Sequence, residues 1–354
     1  MSSGASEVSP PVESTPRESG ELAPPRPSRA PRPRLGTSFR APLADRIAEG
    51  VIRTLAFTAI AAIVLIFVFI AKEALPIFWE PDAQAHFGGL AALVEPRIWP
   101  GHHDAELLWQ PVGDVAKMNV VPLFLGTLRV TVLALLIAVP LALLSAIYVS
   151  QYAPRRAREI LKPAIELLAS IPSVVLGFFA LMVVATIVQD VFGLTYRLNA
   201  LVAAIGLAMA VVPLVFTISE DALRAVPKEL EAAALALGAR KHQVVMRVVL
   251  PAALPGIAAA VILGLGRAIG ETMVVLMASG NAAVMDVLSP GASARTVTAT
   301  IASELGEVTQ GDAHWRVLFL LGAILFVITF VLNRAGVTIV DRLHQRLTAA
   351  TRGR

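Results

Sequence analysis

Cysteine is absent from these 354 residues, and with it go disulfides, iron–sulfur clusters and thiolate zinc sites. Histidine is thin as well, with six residues scattered except for the neighbours His102 and His103. A loop pair without convergent partners reads as solvated surface, so no metal is expected. Charge is scarce at 16% of residues, against about 25% in soluble domains. No Gly-x-x-x-x-Gly-Lys-Ser/Thr run occurs, so this chain is not expected to hydrolyse ATP or to act as an enzyme by itself. Apolar side chains fill the space that charge leaves: 56% of residues are hydrophobic and the mean hydropathy is +0.71. The expected solvent for most of the chain is the lipid bilayer, and nucleic acid is not an expected partner.

Residues 1–45 stand apart, rich in Pro, Ser and Arg and poor in core-forming side chains. They predict a disordered tail, which either docks a partner through its PxxP-like spacing or stays as an Arg-rich arm near anionic lipid. Because a signal peptide places a short apolar region close to the N-terminus, this long polar lead argues for a retained first helix over 46–72. Runs near the roughly 20 residues a spanning helix needs occur at 54–71, 128–149, 165–188, 198–218, 254–278 and 317–332. The expected fold is therefore all-α and integral to the membrane, with six transmembrane helices. Pro140, Pro172 and Pro213 should bend the second, third and fourth.

Basic residues collect on alternate connections: the tail up to Arg53, then Arg155, Arg156, Arg158 and Lys162, then Arg224, Lys228, Arg240, Lys241 and Arg247, and finally Arg334, Arg342 and Arg346. These predict the cytoplasmic side and place both termini there. Residues 73–118 and 279–315 become external segments, with a membrane core over 119–340, an internal loop at 219–251 and a cytoplasmic tail at 341–354. Arg129, near the outer end of the second span, is expected to snorkel to the interface.

The fifth span carries the most telling charges, Arg267 and Glu271, in an otherwise apolar run with Gly264, Gly266 and Gly270. An ionised group at mid-membrane costs roughly 2.5–3.5 kcal/mol on insertion scales, so one that persists is by default a candidate for a substrate path. Four residues apart, the two predict a stack on one helix face, with the glycines admitting a neighbouring backbone. The glycines do not form a dinucleotide fingerprint, because the spacing and the preceding strand are missing. An ion pair that only makes burial tolerable is the other open reading.

The 219–251 loop is amphipathic and helical in pattern, with Pro227 placed to open a short helix, an alanine-rich body and Gly238 where that helix should stop. Two short helices joined at Gly238 are expected. The segment resembles the cytoplasmic coupling loop of ABC importer permeases, whose Glu-Ala-Ala, Gly and Leu-Pro are matched in spacing by Gly238, Leu250 and Pro251. Counting back from Gly238 puts the motif's acidic position on Ala232, with Glu231 and Glu229 just upstream. The resemblance implies ATPase contact through Glu229, Glu231, Ala232, Ala233, Gly238 and Ala239.

Within that family, Ala-Ser-Ile-Pro-Ser at 169–173 and Gly-Arg-Ala-Ile-Gly-Glu-Thr at 266–272 resemble the phosphate importer permeases. The continuation from Met273 to Asn281 is similar to the subunit type called PstC rather than to its partner type PstA. The resemblance implies a type I importer fold in the bacterial inner membrane and a pore shared with a PstA-like permease. It also implies two PstB-like ATPase subunits that use ATP and magnesium, and an external PstS-like phosphate-binding protein. No cofactor is expected on this subunit. Arg267 and Glu271 would then line the phosphate path, with Thr272, Ser170 and Ser173 as further polar lining. A permease for sulfate, molybdate or phosphonate, and a non-transporting phosphate-sensing scaffold, are the alternatives.

Overall fold

The computed structural model describes residues 43–99, 103–113, 116–283 and 289–352. The expectation of a disordered tail over 1–45 falls on residues outside that set except for 43–45, which open helix α1 instead, and His102 is outside it too. Two units are distinguished, residues up to Ala59 and Ile60–Arg354. The first contains the opening part of helix α1 (Leu43–Ala74), and the second carries the remaining elements.

After α1 come α2 (Pro81–Phe87) and two short antiparallel pairs, β1 (Arg97–Ile98) with β2 (Ala105–Glu106) and β3 (Trp109–Gln110) with β4 (Lys117–Met118). Helices follow: α3 (Val121–Ile147), α4 (Arg155–Ala169), α5 (Ser173–Phe179), α6 (Ala185–Phe192) and α7 (Ala200–Arg224). The chain ends through α8 (Lys228–Ala236), α9 (Lys241–Val244), α10 (Leu250–Gly270), α11 (Met273–Ala278), α12 (Val297–Glu304) and α13 (Ala313–Arg352). Wide π turns at Tyr148–Tyr152, Ala180–Val184 and Val245–Val249 extend α3, join α5 to α6 and join α9 to α10. Among the described residues, six helical stretches are long and apolar enough to cross a membrane: Ile47–Phe78, Val121–Tyr152, Ser173–Phe192, Ala200–Arg224, Lys241–Gly270 and Ala313–Arg342.

Helix α7 is the centre of the bundle, packed along α3 and α10 and touched by α4, α5 and α11. Its fit against α3 comes from small side chains. Ala134, Ala138, Ala142 and Ala146 recur every four residues, so they form one stripe, and all are fully buried against a core that includes Ala203, Ala204, Leu207 and Val211 of α7. Between helices in lipid, close backbone approach replaces the hydrophobic drive that water would supply. Apolar side chains left outside, such as Leu65 and Ile66 on α1 and Phe178, Ile187 and Val191 on α5 and α6, suit lipid or another chain.

The two external segments of the sequence reading meet at one end of the bundle, here the cap end. Its core holds Ile77, Trp109, Met118, Leu123, Val317 and Leu321. Asn119 fastens the first segment to α3: its amide donates to the carbonyls of Ala92 and Glu95, both at 3.1 Å, and its side-chain oxygen accepts from the Val121 N–H at 3.1 Å.

Four expected boundaries move. The third span starts at Ser173 rather than Ile165, because residues 155–169 form the separate amphipathic helix α4 and Pro172 stands between as an extended cap, φ −57° and ψ 138°. Pro172 therefore divides two helices rather than bending one, whereas Pro140 and Pro213 do lie inside α3 and α7. The fifth span stops at Gly270, eight residues short of the expected Ala278. The internal loop starts later than Ser219, since α7 continues to Arg224. Helix α13 runs unbroken to Arg352, through the segment expected to be a tail.

Candidate functional site: a broken fifth span and a protruding loop

The fifth span breaks where its charges lie. Helix α10 ends at Gly270, Glu271 takes an extended conformation at φ −70° and ψ 130°, and α11 restarts at Met273. A break inside a span exposes carbonyls that lipid cannot satisfy, and two hydroxyls answer here. Thr272 Oγ1 donates to the Gly270 carbonyl at 3.3 Å, and Thr298 Oγ1 donates to the Glu271 carbonyl at 2.9 Å. Thr298 belongs to α12, which is how the cap end reaches the break.

Glycines seat the restarted helix. A Cβ on Gly177 of α5 would stand 3.1 Å from the Met273 carbonyl oxygen and 3.2 Å from Val274 Cα, and one on Gly206 of α7 would stand 2.9 Å from Val274 Cγ1. Of the three fifth-span glycines expected to admit a neighbour, Gly264 does so against Val215 of α7 at 2.7 Å, Gly266 faces Asn333 of α13 at 3.2 Å, and Gly270 faces open space.

The stack of Arg267 and Glu271 on one helix face does not form. The helix ends between them, and the two make no ion pair with each other among the described residues. Arg267 is exposed on the flank of the chain, while Glu271 and Thr272 are half-buried. The two candidate serines also part company. Ser173 is half-buried on α5, one turn before Gly177 and so beside α11. Ser170 lies across the Pro172 break, exposed, its hydroxyl donating to the Leu167 carbonyl at 2.7 Å. Its bond is local.

The protruding loop folds as two short helices, α8 and α9. Gly238 joins them with φ +83° and nothing within 4 Å of an added Cβ, so the demand for glycine there is conformational rather than steric. The side chain of Gln243 closes the start of α9 by accepting from the Arg240 N–H at 2.9 Å. Ala234 and Ala239 pack on the bundle core. Glu229, Ala232 and Ala233 are exposed, Glu231 is half-buried, and Leu230, Leu235 and Leu237 form an uncovered apolar tip, with Leu237 90% exposed. A protrusion of this kind suits a partner's groove.

Two charged positions acquire roles that hydropathy does not show. Arg129, expected to snorkel, is instead buried and donates to the carbonyls of Ser289, Ala292 and Ser293 at 3.4, 3.1 and 2.6 Å. It ties α3 to a segment about 160 residues away. Glu220, near the end of α7, is fully buried and accepts from Lys162 of α4 at 2.7 Å and Arg224 at 3.4 Å. The Lys162 amine also reaches Asp221 at 3.1 Å. Hydrogen bonding to Glu220 raises the Lys162 pKa above its ordinary value, against a lowering from burial and with a further upward push from Asp221. A raised amine stabilises the fold below its unfolded pKa and loses that contribution only as pH climbs through the raised value, so the Lys162 amine stays charged at neutral pH. The residue types alone carry no signal for Glu220, because its main partner is 58 positions away.

At the cap end, Glu304 accepts from Trp109 Nε1 at 3.1 Å, from Arg295 and from His314 at 2.8 Å, beside a cavity of about 800 Å3. These contacts join β3, α12 and α13 to one carboxylate.

A six-span helical bundle with an interrupted fifth helix and a glycine-jointed loop is the architecture of an importer permease. Residues 138–349 match the family described as binding-protein-dependent transport system inner membrane component, and the chain belongs to it. It is similar to the probable ABC transporter permease protein YqgH of Bacillus subtilis, at 35% identity over 243 residues, 69% of this chain and 78% of that one. It is also similar to the phosphate transport system permease protein PstC 1 of Mycobacterium tuberculosis, at 36% over 266 residues with the same two coverages, 69% and 78%. Among solved structures, a bacterial alginate ABC transporter in complex with an alginate pentasaccharide-bound periplasmic protein shares the fold, with a TM-score of 0.55 and 16% identity, covering 85% of this chain and 98% of that one. The chain is a multi-pass membrane permease subunit of the ABC importer type.

Proposed function

We propose that this permease carries phosphate and forms half of a pore with a PstA-like subunit. Two PstB-like ATPases drive it from the cytoplasm, using ATP and magnesium, and a PstS-like protein delivers phosphate from outside. The cap end faces outward, the loop end and both termini face the cytoplasm, and the membrane is the bacterial inner membrane. The observation that carries the reading is Arg267, a cation exposed on the flank of an otherwise apolar span, at a helix break and with no ion pair to Glu271. A guanidinium so placed can offer charge-assisted hydrogen bonds to a phosphate oxygen. The relatives named as phosphate permeases support the choice of anion.

The mechanism is alternating access. ATP binding closes the ATPase dimer, the α8–α9 loop moves with it, and α5, α7 and α10 shift so that the pore opens outward to accept phosphate; hydrolysis reverses the shift. Glu271 and Thr272, at the break, and Ser173, beside α11, contribute polar lining, and the negative charge of Glu271 keeps the anion from being held too long. Ser170 is the weakest member of the set, its hydroxyl being engaged at the end of α4. The test is uptake of radiolabelled phosphate into proteoliposomes holding the complete transporter, with sulfate, molybdate and phosphonate as competitors. ATP-dependent uptake of labelled sulfate, molybdate or phosphonate with none of labelled phosphate would reject phosphate as the cargo.

A further inference from the structure

Helix α4 packs on α7 and on the turn that ends the second span, and is bonded to both. At its start, Arg158 donates to the carbonyls of Val149 and Ser150 at 2.9 and 2.6 Å, fastening it to the exit of the second span. At mid-length, Lys162 meets Glu220 and Asp221 of α7. Past Pro172, the chain continues as α5, whose Gly177 lies against the Met273 carbonyl at the break. On the other side of the pair, α7 runs four residues beyond Glu220 into the loop, with Leu223 and Val226 buried at the turn.

The pair is costly to keep if packing were its only purpose. A carboxylate with no exposed surface must recover its lost hydration from its partners, and apolar residues of similar volume commonly do as well or better. Charge at this place brings directionality. A short bond between two ions resists separation and sliding in a way that apolar contact does not.

We propose that Glu220 and Lys162 act as positioning residues that transmit movement of the α8–α9 loop through α4 to α5, and so to the broken segment beside Arg267. This rests on the reading of that loop as the ATPase contact. Movement of α7 at its loop end pulls Lys162 with it, the part of α4 that runs on from Lys162 through Pro163 to Ala169 follows, and α5 shifts on the seat of α11. Because Arg158 holds the start of α4 and Pro163 interrupts the helix beside Lys162, α4 hinges there rather than slides.

The test uses the complete transporter in proteoliposomes. Lys162→Met combined with Glu220→Met removes both charges at similar volume, and Lys162→Arg keeps the charge. The double variant is expected to assemble and to hydrolyse ATP at the unstimulated wild-type rate, yet to move about tenfold less phosphate per ATP, while Lys162→Arg stays within about threefold of wild type. Normal phosphate per ATP in the double variant, or its failure to assemble, would overturn the proposal, since the pair would then serve packing alone. The absence of cysteine makes a second readout clean. Spin labels on Lys228→Cys and Val191→Cys report an ATP-driven distance change without any substrate. The wild type should show it and the double variant should not. A wild type that shows the change but carries no phosphate would defeat the phosphate reading and leave this link standing; an equal change in both would defeat the link.

Discussion

Arg267→Gln separates a path residue from a structural one, and its magnitude can be worked from where the side chain sits. A unit charge at 4 Å from an anion contributes about 4 kcal/mol at an effective dielectric near 20 and about 1 kcal/mol in bulk water. Arg267 is exposed on the chain's flank rather than enclosed, so the value belongs between those limits, at about 2 kcal/mol. At 1.4 kcal/mol per decade, that is a loss of roughly 10- to 100-fold in phosphate uptake. The amide keeps hydrogen bonding and loses only the charge, so abundance in the membrane should be unchanged. The assay is initial uptake in proteoliposomes normalised to assembled complex, with Glu271→Gln and the double variant alongside. Because the helix ends between the two residues and they form no pair, the double variant should be at least as impaired as Arg267→Gln, the two effects combining rather than cancelling. Recovery of uptake in the double variant would show that the charges only neutralise each other, and wild-type uptake in Arg267→Gln would remove this residue from the path.

Gly238→Val forces a β-branched residue into φ +83°, at a cost of about 1–2 kcal/mol for an L residue in the left-handed region; the complex should still reach the membrane while its ATPase no longer responds to loaded binding protein, and unchanged stimulation would clear the loop of a coupling role. Gly126→Ala would drive a Cβ into the Arg295 carbonyl oxygen, and backbone cannot yield as a side-chain tip can, so the purified complex should lose about 1–3 kcal/mol of stability, read as an earlier thermal transition. Reporters after Thr348 and before Arg40 should both be cytoplasmic and tags at Glu95 and Glu307 external, since basic residues decide the side; an N-terminal tag reached from outside would reverse the orientation.

Hydropathy and the spacing of glycine and proline were enough to find six spans, the jointed loop and the segment that carries Arg267 and Glu271. Those features are local: a run of about 20 apolar residues must cross lipid whatever its neighbours, and Gly238 can end a helix because its own backbone permits φ +83°. Family likeness was legible for the same reason, since short motifs at 169–173 and 266–272 keep their residue types and spacing. Other features depend on groups brought together from far apart in the chain. The break after Gly270 is stabilised by Thr298 and seated on Gly177 and Gly206, so a count of apolar residues runs straight through it. Arg129 looked like an interfacial side chain until carbonyls of Ala292 and Ser293 closed over it. Glu220 falls within the stretch expected as an internal loop at 219–251, and only the packing of α4 on α7 makes it a buried acceptor for Lys162. Sequence alone determined which segments enter the membrane, because transfer free energy adds up residue by residue; the tertiary structure decided which charges meet and where the fifth helix stops, because those depend on partners whose distance along the chain says nothing about their distance in space.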